Sequence, residues 1–268
     1  MSLSSILFLF LTHLGVGITL VLGWVGREAG VKFFRFNAGT AALLIAFGFT
    51  LRPVASAAGP LHLASTGLLL TCEAALVIYW ATIGRMLAKV RPALLWVAII
   101  SGLFAISLQA LEISANAPGL AAVLTVASFL SSAALLGGAC GAMVLGHWYL
   151  VVPSLDVAHL QSIVKLHIVS MVVRTVVVVA AVAMAIVTWQ PGMGPNFLRY
   201  ILSSGGIFFW QRVLFGLACP AVLAYMTWET AKIQSTQSAT GILYVDFFTV
   251  IVGEVLAKYL LLSTNVPV

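Results

Sequence analysis

Charged side chains are scarce in this sequence, at 7% of 268 residues, where soluble domains carry roughly a quarter. A water-soluble globule this poor in charge has too little polar surface to cover itself, so that class is excluded. Cysteine is also sparse. Cys72, Cys140 and Cys219 each lie inside an apolar run, with no C-x-x-C and no Cys/His spacing. That excludes a disulfide framework and a structural zinc site, and it leaves the thiols as packing residues. The signatures H-E-x-x-H, G-x-S-x-G and G-x-x-x-x-G-K-[ST] are absent, as is a paired acidic motif for metal-assisted phosphate chemistry. The chain is therefore not expected to be catalytic alone.

What is present is hydrocarbon. Hydrophobic residues make up 62% of the chain and the mean hydropathy is +1.14. A spanning helix needs about 20 mostly apolar residues. Such stretches follow one another almost without interruption, near residues 4–24, 37–56, 63–84, 92–113, 120–151, 160–189, 205–228 and 241–262. The fold class expected is all-α: one polytopic membrane helix bundle of about eight transmembrane helices, occupying residues 1–268 as a single integral membrane domain. The first span lacks a basic n-region and reads as a retained helix rather than a cleaved signal.

The links carry their own signals. Lys32-Phe33-Phe34-Arg35-Phe36 mixes rings and long basic stems, as a headgroup-level segment does. Gly59-Pro60, Asn116-Ala117-Pro118-Gly119 and Pro191-Gly192 mark turns. Phe197, Leu198, Tyr200 and Ile201 follow at helical spacing, predicting a short amphipathic helix on the membrane surface. Pairs such as Gly137-Gly138 and Gly205-Gly206 are expected at close helix contacts. No internal repeat relates the two halves of the chain, so a transporter-type duplication is not claimed.

The formal net charge of +6 is assigned to orientation rather than to nucleic acid. Arg27, Lys32, Arg35, Arg85, Lys89, Arg91 and Lys232 fall on one side of the bundle, and Arg52 and Arg199 on the other. The rule that basic links stay in the cytoplasm then places both termini on the non-cytoplasmic side. The localisation expected is a bacterial inner (plasma) membrane.

The informative residues are charges in a place that lipid excludes. An ion at mid-bilayer costs at least about 2.5–3.5 kcal/mol on insertion scales, so such a group turns toward a bundle interior. By the spans above, His13, Glu73 and Arg174 lie near mid-depth, Glu254 lies in the middle to outer part of the last span, and Lys165 and His167 lie nearer the cytoplasmic side. His13, Glu73, Arg174 and Glu254 are the candidates for a proton path or polar ligand pocket. The opposing reading is a helix clamp in which Arg174 pairs with Glu73 or Glu254. Glu112 and Arg212 are expected at the outer surface and Glu229 at the inner one, as interface anchors. For haem b, two imidazoles must meet one iron from opposite faces, and His147 with His167 is the pair named.

These features favour the membrane subunit of an electron-transfer complex of respiratory type, binding quinone between helices, providing a proton path, or both. Its partners would be the lipid bilayer, other subunits and extrinsic redox proteins docked on the short links. In architecture alone the chain is similar to quinone-interacting membrane subunits of respiratory oxidoreductases. A structural scaffold subunit and a small-solute or ion transporter are the alternatives.

Overall fold

The computed structural model describes residues 2–53, 59–86, 88–115, 119–151, 157–189 and 196–268. The regular structure among them is helical, with no strand. Helix α1 is Leu3–Leu22, α2 Gly30–Thr50, α3 Pro60–Thr82, α4 Arg91–Ile113, α5 Gly119–Val151 and α6 Val157–Val187. A short α7, Phe197–Ile201, precedes α8 (Ile207–Val213), a π-helical turn (Leu214–Ala218) and α9 (Cys219–Lys232), and α10 closes the chain as Thr236–Thr264. Among the described residues, seven helical stretches are long and apolar enough to cross a membrane, with Ser204–Lys232 as one of them. The chain is an integral membrane protein.

Lipid acts as the outer solvent, and the large side chains on the outside show it. Leu43, Phe47, Phe104, Val123, Val179 and Phe248 are all exposed, as they would not be on a soluble surface. Burial is uneven between helices. In α1, 78% of the most apolar window is buried inside the bundle, against 28% in α3 and in α6. Helix α1 is thus the central post: it packs on α2, α4, α5 and α10. Helices α3 and α4 pair on one side, and α5, α6, α9 and α10 pack together on the other.

The tightest crossing joins these groups. Gly17 of α1 lies against the backbone of Ala133 and Gly137 in α5, and a Cβ on either glycine would collide with main-chain atoms of the other helix. In lipid, close backbone approach of this kind drives helix association, because apolar side chains gain little from leaving one hydrocarbon for another.

One boundary differs from expectation. Residues 30–36 are helical rather than a link, because Lys32 and Arg35 extend their stems to the interface without breaking the helix. The surface helix forms at Phe197–Ile201, where the Asn196 side chain accepts from the Leu198 N–H at 2.8 Å. Within it, Phe197 and Ile201 are buried and Leu198 is exposed. The turns expected at Asn116–Pro118 and Pro191–Gly192, the end of the second span at residues 54–56 and the link around Pro153 lie outside the described residues.

Replacing Gly137 with Val forces the α1–α5 backbones apart and is expected to cost at least about 1–3 kcal/mol. Replacing Gly67, whose Cβ would meet open space, with Ala is expected to be neutral or stabilising by up to about 1 kcal/mol. Thermal unfolding of the two variants in detergent checks the contrast.

Candidate functional site

Helix α10 places Asp246, Val250, Glu254 and Lys258 four residues apart, hence on one stripe, and all four are buried. On α6, Leu160, Ile163, His167, Ser170, Arg174, Val178 and Ala181 make the corresponding buried face. The two polar stripes meet inside the bundle, with α5 contributing Ser128 and Ser132 one turn apart.

Glu254 is the meeting point. Its Oε1 accepts from Arg174 Nε at 2.9 Å and from Arg212 Nη2 at 3.0 Å. Its Oε2 accepts from Ser132 Oγ at 2.6 Å, Lys258 Nζ at 3.0 Å and Arg174 Nη2 at 3.2 Å. One carboxylate thereby ties together α5, α6, α8 and its own helix. Arg174 also donates through Nη1 to the Ser128 hydroxyl at 2.7 Å and the Ser128 carbonyl at 3.1 Å, and through Nη2 to the main-chain oxygen of Val268 at 3.2 Å. None of the four ionic side chains has more than traces of exposed surface.

Beside the ion pairs runs a chain of proton-bearing groups. Ser132 Oγ accepts from Lys258 Nζ and lies 3.3 Å from His13 Nδ1. Because the serine's one hydrogen goes to Glu254, it can only accept from His13, which assigns the imidazole hydrogen to Nδ1. The His13 ring stands edge-on to Phe129 at 4.5 Å, and its Nε2 is buried with no partner. Ser132 has lysine and histidine within reach, as an activated nucleophile would. It is fully buried, however, so no acyl substrate reaches it in this conformation.

Arg212 owes its place to the helix beneath it. Pro220 has no N–H and would crowd the carbonyl of residue 216, so the turn before it opens into a π-turn. Gly216 on that turn lies against Gly253 of α10, and Arg212 packs over Gly216. The expectation that Arg212 anchors at the outer surface is corrected here: it is completely buried, and its Nε and Nη1 have no partner. With Arg174 and Lys258 it sets three cationic side chains around one carboxylate.

The other expected residues separate from this centre. Glu73, on α3, is half-buried in a groove of about 560 Å³ between α2 and α3 that Lys32, Arg35, Phe36 and Trp80 also line, and its Oε2 has no partner. Arg35 lies over the Trp80 ring at 5.3 Å. Glu112 pairs with His62 at 2.9 Å, and Glu229 pairs with Lys232 at 2.7 Å. His147 is exposed and its Nδ1 lies 2.8 Å from the Tyr244 hydroxyl. His167 is buried at the level of Gly138, with its Nε2 2.7 Å from Asp246 Oδ2. The nine residues from Gly138 to His147 on α5 separate the two imidazoles by about 13 Å along the helix axis. The pair named for haem b therefore does not face a common iron, and these residues do not fit that group. No group of three or more metal-ligating side chains exists among the described residues.

Residue-by-residue reading of the sequence missed Ser128, Ser132, Arg212, Lys258 and Asp246 as members of one buried set. The signal was there in the four-residue spacing along α10 and in the Ser128/Ser132 pair.

Fold and site together define the class: an integral membrane helix bundle built around a buried ionic centre. Comparison of the chain with protein-family models, with curated proteins and with solved structures finds no significant match.

Arg174→Leu leaves Glu254 without its bidentate partner and is expected to lose about 3–5 kcal/mol of stability. Arg199→Leu, at an exposed position on α7, is expected to change it by no more than about 0.5 kcal/mol. Equal melting temperatures of the two variants in detergent would contradict the assignment. Visible spectra give a second check: the purified chain is expected to show no reduced b-type haem absorbance.

Proposed function

We propose that this chain is the membrane subunit of an electron-transfer complex of respiratory type, in which the Glu254 centre handles protons and quinone binds between helices. The observation that carries the reading is the continuous set Lys258 Nζ, Ser132 Oγ and His13 Nδ1 beside the Glu254 carboxylate, crossing α10, α5 and α1 with no exposed member. Arginine stays protonated in proteins, whereas lysine, histidine and carboxylate exchange protons. Arg174 and Arg212 then act as fixed positive charges, and the mobile proton belongs to Lys258, Ser132 and His13. The Ser132 hydroxyl passes a proton by accepting a hydrogen from Lys258 or His13 while releasing its own to Glu254.

The quinone ring belongs in the groove between α2 and α3. It opens on the apolar exterior, where such a ligand dissolves, and it offers the flat Trp80 ring and an unpartnered Glu73 oxygen for hydrogen bonding. Eight spans, with α10 as the last, both termini on the non-cytoplasmic side and a bacterial inner membrane complete the reading. The basic residues around the α1–α2 and α3–α4 links and at the end of α9 would then face the cytoplasm, where extrinsic redox proteins dock.

A scaffold subunit is the second reading. The observation favouring it is that Arg174 uses all three of its nitrogens to bind α5, α10 and Val268, as a helix clamp would.

Purification in mild detergent followed by identification of copurifying proteins separates the two readings. Redox subunits are expected. In that complex Glu254→Gln should keep the subunits together while cutting quinol-driven proton transfer by about 100-fold or more, the lower range for losing a positioned acid–base group. An assembled Glu254→Gln complex with undiminished proton transfer would leave only the clamp.

A further inference from the structure

Below the Glu254 centre, toward the end of the bundle where α6 begins, lies a second buried acid–base pair. His167 Nε2 and Asp246 Oδ2 approach to 2.7 Å, and both side chains are completely buried. With the imidazole protonated, this contact is an ion pair closed off from water. The remaining atoms, His167 Nδ1 and Asp246 Oδ1, lack partners. A buried pair that existed only to hold helices would gain by satisfying these atoms, as Arg174 does. Two atoms without partners, one on each group of the pair, instead leave a place for a proton that arrives and departs.

The position fits that role. Asp246 precedes Glu254 by eight residues on α10, and His167 precedes Arg174 by seven on α6. Both separations put the pair about 10–12 Å from the centre along the helix axes. The turns between them carry hydroxyls. Thr249 Oγ1 donates to the Asp246 carbonyl at 2.8 Å, and Ser170 Oγ donates to the His167 carbonyl at 2.7 Å. On the opposite helix, Gly138 leaves the His167 ring the space that a side chain would fill. The charged and titratable groups of the neighbouring elements at this end have partners elsewhere. Lys165 and Lys232 lie over Trp228, Glu229 pairs with Lys232, and His147 meets Tyr244.

We propose that Asp246 and His167 form a second proton station, which receives a proton from the basic end of the bundle and passes it toward Ser132 and Glu254. The inference rests on the proton-handling reading of the Glu254 centre. The step is a proton exchange with no redox change. A proton from the basic end first binds His167 Nδ1 and makes the imidazolium, which then gives its Nε2 hydrogen to Asp246 Oδ2: one N–H bond forms at Nδ1, one N–H bond breaks at Nε2, one O–H bond forms, and a neutral imidazole remains.

The test uses the purified chain with whatever subunits accompany it, reconstituted in vesicles holding a pH-sensitive dye, with proton flux driven by an imposed potential. Asp246→Asn and His167→Gln are each expected to slow the flux at least tenfold. Asp246→Glu, which keeps a proton-carrying group, is expected to retain most of it. Flux lost equally in Asp246→Asn and Asp246→Glu would show that packing, not proton carriage, is at stake and would overturn the proposal. Wild-type flux in Asp246→Asn and His167→Gln, together with loss in Glu254→Gln, would overturn the second station while leaving the centre intact. Undiminished flux in all four variants would remove the proton-handling reading itself.

Discussion

An ion inside hydrocarbon must find its partner within the protein, and in this chain one carboxylate meets that demand for three cations. Each buried charge costs several kcal/mol to bring out of water, and only good geometry repays it. The Glu254 carboxylate takes donors from four residues on four helices. Its two oxygens therefore fix the rotation of α6, α8 and α10 about their axes as well as their separation. The glycine crossing of α1 on α5 serves the same end, because it brings His13 within reach of Ser132.

A rigid ionic knot and a mobile proton are compatible when the roles are divided. The guanidinium groups of Arg174 and Arg212 supply permanent charge and direction. Lysine, serine, histidine and carboxylate supply groups whose hydrogens can move. The π-turn at Leu214–Ala218 sets this division in the backbone, since it lets Pro220 be accommodated about two turns beyond Arg212 and brings Gly216 against Gly253. Among the described residues, the Asp246–His167 pair is an ion pair without an arginine bound to it.

Much of the architecture is legible in the sequence, because apolar runs of spanning length have few other uses. Arg174 and Glu254 stand out for the same reason, as charges in the midst of valine and leucine, and the structure joins them. Arg212 was illegible because Trp210 and Gln211 precede it, so that it reads as an interfacial anchor; only the π-turn below it turns the side chain inward. Asp246 and Lys258 look like ordinary polar interruptions until their spacing with Glu254 is drawn on a helix. Glu73 lies apart from the ionic centre. Mid-depth in the sequence suggested the central site, yet its helix faces it toward the α2 groove. Depth can be counted along a chain, whereas the face a residue presents depends on how neighbouring helices are rotated.

The central claim is that Glu254 and Arg174 are energetically one unit inside the bundle. A double-mutant cycle of Glu254→Gln and Arg174→Gln, read as unfolding free energy in detergent, measures that unity directly. The account predicts a coupling energy above about 1 kcal/mol, with the second substitution costing much less once the first is present. Losses that add to within about 0.5 kcal/mol would contradict it, for they would mean that the two side chains do not depend on each other.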